Sequence, residues 1–251
     1  MSTAVVVGGA SGIGRAAADR LTAAGHHVVV ADVNADAART AAAEIGGDWL
    51  YLDVTDERSV AAGFTALDDV AVVVNCAGLS MPGPIVDLEL SAWQTTVDVC
   101  LTGTFLVLKH AGRRIVDGGS IVCVASLNGR QPGTGMAAYC AAKAGVLMLV
   151  EVAALELAER GVRVNAVSPG LVDTPLTEGI SFIPGLREEY LENTPLGRAG
   201  TPGDVADTIA FLASPASGWM TGSAIDLNGG AHMRGYPDLL GRIKALADDD
   251  G

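Results

Sequence analysis

Short apolar runs rich in valine alternate along this chain with longer stretches whose apolar residues return every three or four positions. The runs fall near 3–7, 27–31, 49–52, 70–74, 121–125, 162–167 and 224–227. Brief β-branched runs bounded by turn residues read as buried strands. Helical spacing predicts helices near 15–24, 35–45, 57–67, 91–115, 137–160 and 203–213. Ser91 stands as the expected cap of the fourth, and Thr201-Pro202 opens the last. Strand and helix in alternation predict an α/β chain: a doubly wound parallel sheet with helices on both faces. No linker, repeat or low-complexity segment interrupts it, so 1–251 reads as one domain. Segment 174–199 mixes Leu176, Ile180, Phe182, Ile183, Leu186, Tyr190 and Leu191 with Gly and Pro. It reads as a mobile lid, with a plain surface excursion as the alternative. The tail from Ala231 ends in Asp248-Asp249-Asp250 and is expected to fray.

In such a sheet, ligands bind beyond the carboxyl ends of the strands. Polar and glycine residues gather there. After the first run come Gly8, Gly9, Gly12 and Gly14 in G-G-A-S-G-I-G, followed by a predicted helix. Strand, glycine turn and helix make a Rossmann-like pyrophosphate site: glycine lets the backbone approach, and the helix N-terminus supplies amide donors. Asp32 ends the second run, 18 positions after Gly14. That offset suits a carboxylate on the adenosine ribose hydroxyls, which would repel a 2′-phosphate and favour NAD over NADP. The plain alternative for Asp32 is an N-cap of the helix at 35–45. Asp53, Asn75 and Ser126 end the third, fourth and fifth runs.

Tyr139 and Lys143 are four apart on a predicted helix, so both side chains share one face. An ammonium beside a phenol favours the phenolate, which makes Tyr139 a candidate proton donor and acceptor. Ser126 can offer a hydroxyl to a substrate oxygen.

Composition narrows the partners. The formal net charge is -13 with 18% charged residues, and no basic stripe is visible. Nucleic acid and anionic membranes are therefore not expected as partners. The first apolar run is too short for a signal peptide or a membrane span. Cys76, Cys100, Cys123 and Cys140 form no C-x-x-C pair, so free thiols in a reducing cytoplasm are expected. His26, His27, His110 and His232 lack metal-ligand spacing, and no metal is expected.

From about residue 3 to 230 the chain resembles the short-chain dehydrogenase/reductase (SDR) family. The carriers are V-G-G-A-S-G-I-G at 7–14, Asp32, D-V at 53–54, N-C-A-G at 75–78, Ser126, Y-C-A-A-K at 139–143, N-A-V-S-P-G at 165–170 and Thr174. The resemblance implies NAD(H)-dependent hydride transfer between a nicotinamide and a secondary alcohol or ketone. Tyr139 would be the acid/base, Ser126 would hold the substrate oxygen, and Lys143 would bind ribose and tune Tyr139. NAD would be held by Gly8, Ser11, Gly12, Ile13, Gly14, Asp32, Asp53, Val54, Asn75, Ala77, Gly78, Tyr139, Lys143, Pro169, Gly170, Val172 and Thr174. The family tendency implies a homo-oligomer, a tetramer or dimer packed through helices 91–115 and 137–160. The apolar lid suggests a small apolar alcohol or ketone. Glu178, Glu188, Glu189 and Glu192 against Arg187 and Arg198 speak against docking an acidic carrier protein.

Three positions depart from the family pattern. Val7 stands where threonine is usual, and Cys76 replaces the second Asn of N-N-A-G. Cys100 occupies the place of the family's fourth catalytic residue, an Asn. A thiol cannot match an amide's donors and acceptors, although the main-chain carbonyl that holds a relay water is kept. An altered proton relay is therefore expected. The alternative to an enzyme is a non-catalytic NAD(H)-binding or assembly protein on the same fold.

Overall fold

The computed structural model describes residues 2–249. Seven strands form one parallel sheet in the order β3-β2-β1-β4-β5-β6-β7. They are β1 Thr3–Val7, β2 His27–Asp32, β3 Asp48–Tyr51, β4 Val70–Asn75, β5 Ser120–Val124, β6 Arg163–Pro169 and β7 Ala224–Leu227. Each predicted run becomes a strand, shifted by at most two residues at either end. Period-two alternation explains why valine serves both faces. Val5 and Val7 enter one core with Phe64, Leu106, Val107, Val146 and Val150. Ala4 and Val6 enter the other with Leu21, Ala38, Val205, Ile209 and Leu212.

The second core is covered by α1 (Gly12–Ala23), α2 (Ala35–Ile45) and α8 (Pro202–Ala213). Alanines 17, 18, 38, 41 and 42 are buried there, so these helices lie close to the sheet. The first core is covered by α3 (Glu57–Thr65), α5 (Gly103–Arg114) and α6 (Ala137–Leu157). Helix α6 with its following turn, Ala137–Arg160, is long and apolar enough by composition to cross a membrane. Here its Val146, Val150 and Ala154 pack into the sheet core. Its opposite side exposes Met148, Val152 and Leu155.

The expected single helix over 91–115 is corrected in two ways. It begins at Leu90 as α4 (Leu90–Val97), with Glu89 in the cap position. A π-helical turn, Asp98–Thr102, then separates it from α5. The wider turn coincides with close packing and a competing acceptor. A Cβ on Gly103 would lie 2.8 Å from Val54 Cγ2, and the Thr104 hydroxyl takes the Cys100 carbonyl at 2.7 Å. Such bulges recur where a helix serves a site.

Past β6 the chain makes a 3₁₀ segment, Pro175–Phe182, then α7 (Leu186–Glu192). The C-terminal segment is more ordered than its composition predicts. Pro237 and Leu239 are buried, and α9 spans Leu239–Asp249. The apolar positions Leu239, Leu240 and Ile243 supply a helical face that the acidic end obscures. Fraying of Asp248-Asp249-Asp250 concerns side chains outside the described residues.

Candidate active site

The sheet order reverses at β1, whose neighbours are β2 and β4. A crevice must open at the carboxyl ends of β1 and β4, where the chain leaves in opposite directions. There the turn after β1 touches the turn after β4: a Cβ on Gly8, whose φ is +71°, would stand 2.8 Å from the Ala77 nitrogen. The Cys76 amide donates to the Val7 carbonyl at 2.8 Å. The backbone thus joins these turns where Val7 lacks the family's hydroxyl. A Cβ on Gly14 would collide with the Gly8 carbonyl, which presses the start of α1 against the turn. No acidic side chain occupies the first turn of α1, and the Ser11 side chain makes no capping bond. Amide donors and hydroxyl face an open groove.

That groove has a volume of about 490 Å³. Gly8, Ser11, Gly12, Ile13, Gly14, Asp32, Asp53, Val54, Ala77, Gly78 and Thr174 line it. Thr174 reaches across to α1: its Cβ would lie 3.4 Å from a Cβ on Gly12. Asp32 is fixed by the Ala10 amide at 3.1 Å and the Asn34 amide at 3.0 Å. The capping alternative for Asp32 is replaced, because Asn34 caps α2 by accepting from the Ala37 amide. The lining holds two carboxylates, Asp32 and Asp53, and no Lys or Arg. Glycines that no larger residue could replace, open amides and a carboxylate at the far end fit a dinucleotide.

A second cavity, about 350 Å³, adjoins the groove, and Leu176 lines both. Ser126 and Tyr139 stand in its wall. Ser126 follows β5, and its hydroxyl oxygen accepts the Asn128 amide proton at 3.1 Å. The serine proton is thereby left to donate elsewhere. Lys143, on the next turn of α6 after Tyr139, is 3% exposed. Its Nζ donates to the Val124 carbonyl at 2.7 Å and lies 5.6 Å from the Tyr139 ring centre. A Cβ on Gly78 would sit 3.6 Å from that nitrogen. The ammonium is thus held between the tyrosine and the groove, with donors to spare.

Several expected site residues lie outside the lining of the glycine groove. Asn75 is buried; its Nδ2 donates to Thr104 Oγ1 at 3.0 Å and its Oδ1 accepts from the Ala77 amide at 3.3 Å. It holds the turn in shape. Val172 is buried beside Gly200. Pro169 and Gly170 line the inner cavity next to Ser126. Cys100 is fully buried. Its thiol donates to the Leu79 carbonyl at 3.2 Å and accepts from the Leu79 amide at 3.5 Å. The thiol thus gives this backbone one donor and one acceptor at sulfur bond lengths, fewer than an amide carries.

All four cysteines are free. Burial pushes the Cys76 and Cys123 thiols up to about 12, against an opposing pull from Lys143. Among the described residues, no group of three or more His, Cys, Asp or Glu could hold a metal ion.

The sequence reading places Tyr190 only in the lid segment and does not single out Tyr236. Tyr190 on α7 and Tyr236 in the C-terminal segment stack edge to face, ring centres 5.6 Å apart. Both line the inner cavity, as do Asn128, Leu239 and Ile243. The amphipathic pattern at 236–243 was the available signal.

Comparison with known proteins identifies the family. The enoyl-(acyl carrier protein) reductase family profile matches residues 8–232. The chain is 41% identical over 241 residues to cis-4-hydroxycyclohexanecarboxylate dehydrogenase of Sinomonas cyclohexanicum, covering 90% of this chain and 95% of that one. It is 38% identical over 238 residues to 2,5-dichloro-2,5-cyclohexadiene-1,4-diol dehydrogenase of Sphingobium indicum, covering 90% and 94%. A solved short-chain dehydrogenase/reductase from Mycobacterium ulcerans superposes with a TM-score of 0.93 at 36% identity, covering 99% and 96%. The chain belongs to the short-chain dehydrogenase/reductase family.

Proposed function

We propose that this protein is an NAD(H)-dependent dehydrogenase that interconverts a small cyclic secondary alcohol and its ketone. The observation that carries this reading is the convergence of Ser126 and Tyr139 on a cavity adjoining the glycine groove, with Lys143 beside the tyrosine. Two relatives bear the names of dehydrogenases of cyclic alcohols. Asp32, with no cation in the groove, supports NAD over NADP.

Bound nicotinamide supplies or accepts the hydride. In the reductive direction, Ser126 donates a hydrogen bond to the carbonyl oxygen, because its own oxygen already accepts from Asn128. Tyr139 gives that oxygen its proton and takes it back in the oxidative direction. Lys143 holds its positive charge beside the phenol and offers its remaining protons to the ribose side. Segment 174–199 covers the cavity as a lid through Leu176, Ile180 and Ile183. Cys100 acts through Leu79, whose backbone it holds at the mouth of the groove. Its carbonyl accepts from the Thr104 hydroxyl.

The exposed apolar side chains Phe105 on α5 and Met148, Val152 and Leu155 on α6 support a homo-oligomer built on these helices. Light scattering tests that assembly, and a stable monomer would count against it. Free thiols fit a reducing cytoplasm.

The direct test is a panel of cyclic secondary alcohols with NAD or NADP, followed by nicotinamide absorbance. NAD-dependent oxidation of at least one is expected. Tight NADH binding with no turnover of any alcohol or ketone would favour a non-catalytic binder.

A further inference from the structure

The inner cavity restricts both the charge and the second functional group of its ligand; this inference rests on its being the substrate site. None of the residues lining it carries a charged side chain. Lys143 donates to the Val124 carbonyl, and Arg242 pairs with Glu189 at 2.9 Å. A carboxylate drawn into the cavity would lose its hydration and meet Leu127, Met136, Ile180, Leu239 and Ile243 without a counter-charge. The ligand is therefore uncharged.

Tyr190, Tyr236 and Asn128 form one polar part of the wall, beside Gln131, Thr177 and Asn193, and the proton directions among the first three are determined. Asn128 Nδ2 donates to the Gln131 carbonyl at 3.1 Å, which fixes the amide. Asn128 Oδ1 then accepts the Tyr236 proton at 3.1 Å. The phenol oxygens of Tyr236 and Tyr190 are 2.9 Å apart. Because the Tyr236 proton is committed, Tyr190 is the donor between them. Burial pushes both phenols above their ordinary value, so they stay protonated. Tyr190 consequently has no proton left for a ligand and keeps an acceptor lone pair. Gln131 Oε1 is a second buried acceptor in this lining and has no partner; such acceptors are matched by a hydroxyl, not by a carbonyl or an ether oxygen.

We propose that the reduced substrate is a compact, uncharged diol: one hydroxyl is oxidised at Ser126 and Tyr139, and the second donates to Tyr190. The product is the corresponding hydroxyketone. Tyr236, contributed by the C-terminal segment, orients Tyr190 and is a specificity-determining residue.

The test compares kcat/KM with NAD for four rings that differ only at the distal position. They are cyclohexanol, cyclohexane-1,4-diol, 4-methoxycyclohexanol and cis-4-hydroxycyclohexanecarboxylate. The diol is expected to exceed the methoxy ether by about tenfold, the scale of one satisfied buried acceptor. The carboxylate is expected to fall roughly a hundredfold below the diol, mainly through KM. In Tyr190→Phe the diol-to-ether ratio should collapse to about one. A carboxylate used as well as the diol overturns the uncharged substrate. An ether equal to the diol in the unmodified enzyme, or an unchanged ratio in Tyr190→Phe, overturns the second hydroxyl. Failure of every alcohol despite bound NAD overturns the dehydrogenase reading itself, and this inference with it.

Discussion

The Cys100 thiol clamps Leu79 from both sides, donating to its carbonyl at 3.2 Å and accepting from its amide at 3.5 Å. A side-chain amide has the same pair of functions with stronger groups. Cys100→Asn is therefore expected to keep the turn at Leu79 and to give activity equal to or above the parent. Cys100→Ala removes both partners and leaves a small void. It should lower stability by about 1–3 kcal/mol in urea and reduce kcat. A Cys100→Ala variant with full kcat would show that the clamp has no part in turnover.

Asp32 connects cofactor choice to local structure, since its two oxygens already hold the Ala10 and Asn34 amides. Asp32→Ala should weaken NADH binding and strengthen NADPH binding, narrowing the preference by at least about tenfold. It should also cost about 1 kcal/mol of stability through the two freed amides. Calorimetric titration reads the first and thermal unfolding the second. Equal affinity of the unmodified protein for NADH and NADPH would remove Asp32 from its assigned role.

Much of this was legible in the sequence, for a physical reason. The strand runs are buried on both faces, so they are apolar throughout and bounded by turns. The glycines after β1 are written into the chain because neither Gly8 nor Gly14 has room for a Cβ. The substrate wall was not legible. Tyr190 and Tyr236 lie 46 positions apart and meet only through tertiary packing. The π-turn escaped because helical periodicity averages over a single inserted residue. The residue type of Cys100 did not disclose its partner, the backbone of Leu79, which it meets with one donor and one acceptor.

Thiol reactivity should separate the four cysteines. The thiolate is the nucleophile, and burial pushes Cys76 and Cys123 up to about 12. Both are therefore held as thiols at pH 8, so iodoacetamide should modify them slowly in the folded protein. Because the folded value lies above the ordinary 9.0, their stabilising effect is complete below that pH. It declines as pH rises towards about 12. Cys100 is fully buried, which leaves Cys140, next to Tyr139, as the expected site of modification. Mass spectrometry of the alkylated native protein, with and without NADH, checks the pattern. Modification of Cys76 ahead of Cys140 would contradict it.

The proton-transfer assignment makes the sharpest demand on the site. Tyr139→Phe keeps the ring beside Lys143 Nζ and removes only the acidic proton. Folding and NADH binding should survive, while kcat should fall by roughly two to four orders of magnitude. Ser126→Ala removes the donor to the substrate oxygen and also the acceptor of the Asn128 amide. It should lower kcat with little effect on NADH affinity. Lys143→Met leaves the Val124 carbonyl without its partner and takes a positive charge from between the phenol and the groove. It should therefore impair both kcat and NADH affinity, a combination neither other variant shares. Steady-state rates and NADH titration on the three variants distinguish these patterns. Tyr139→Phe retaining more than about a tenth of the parent rate would mean that another group moves the proton.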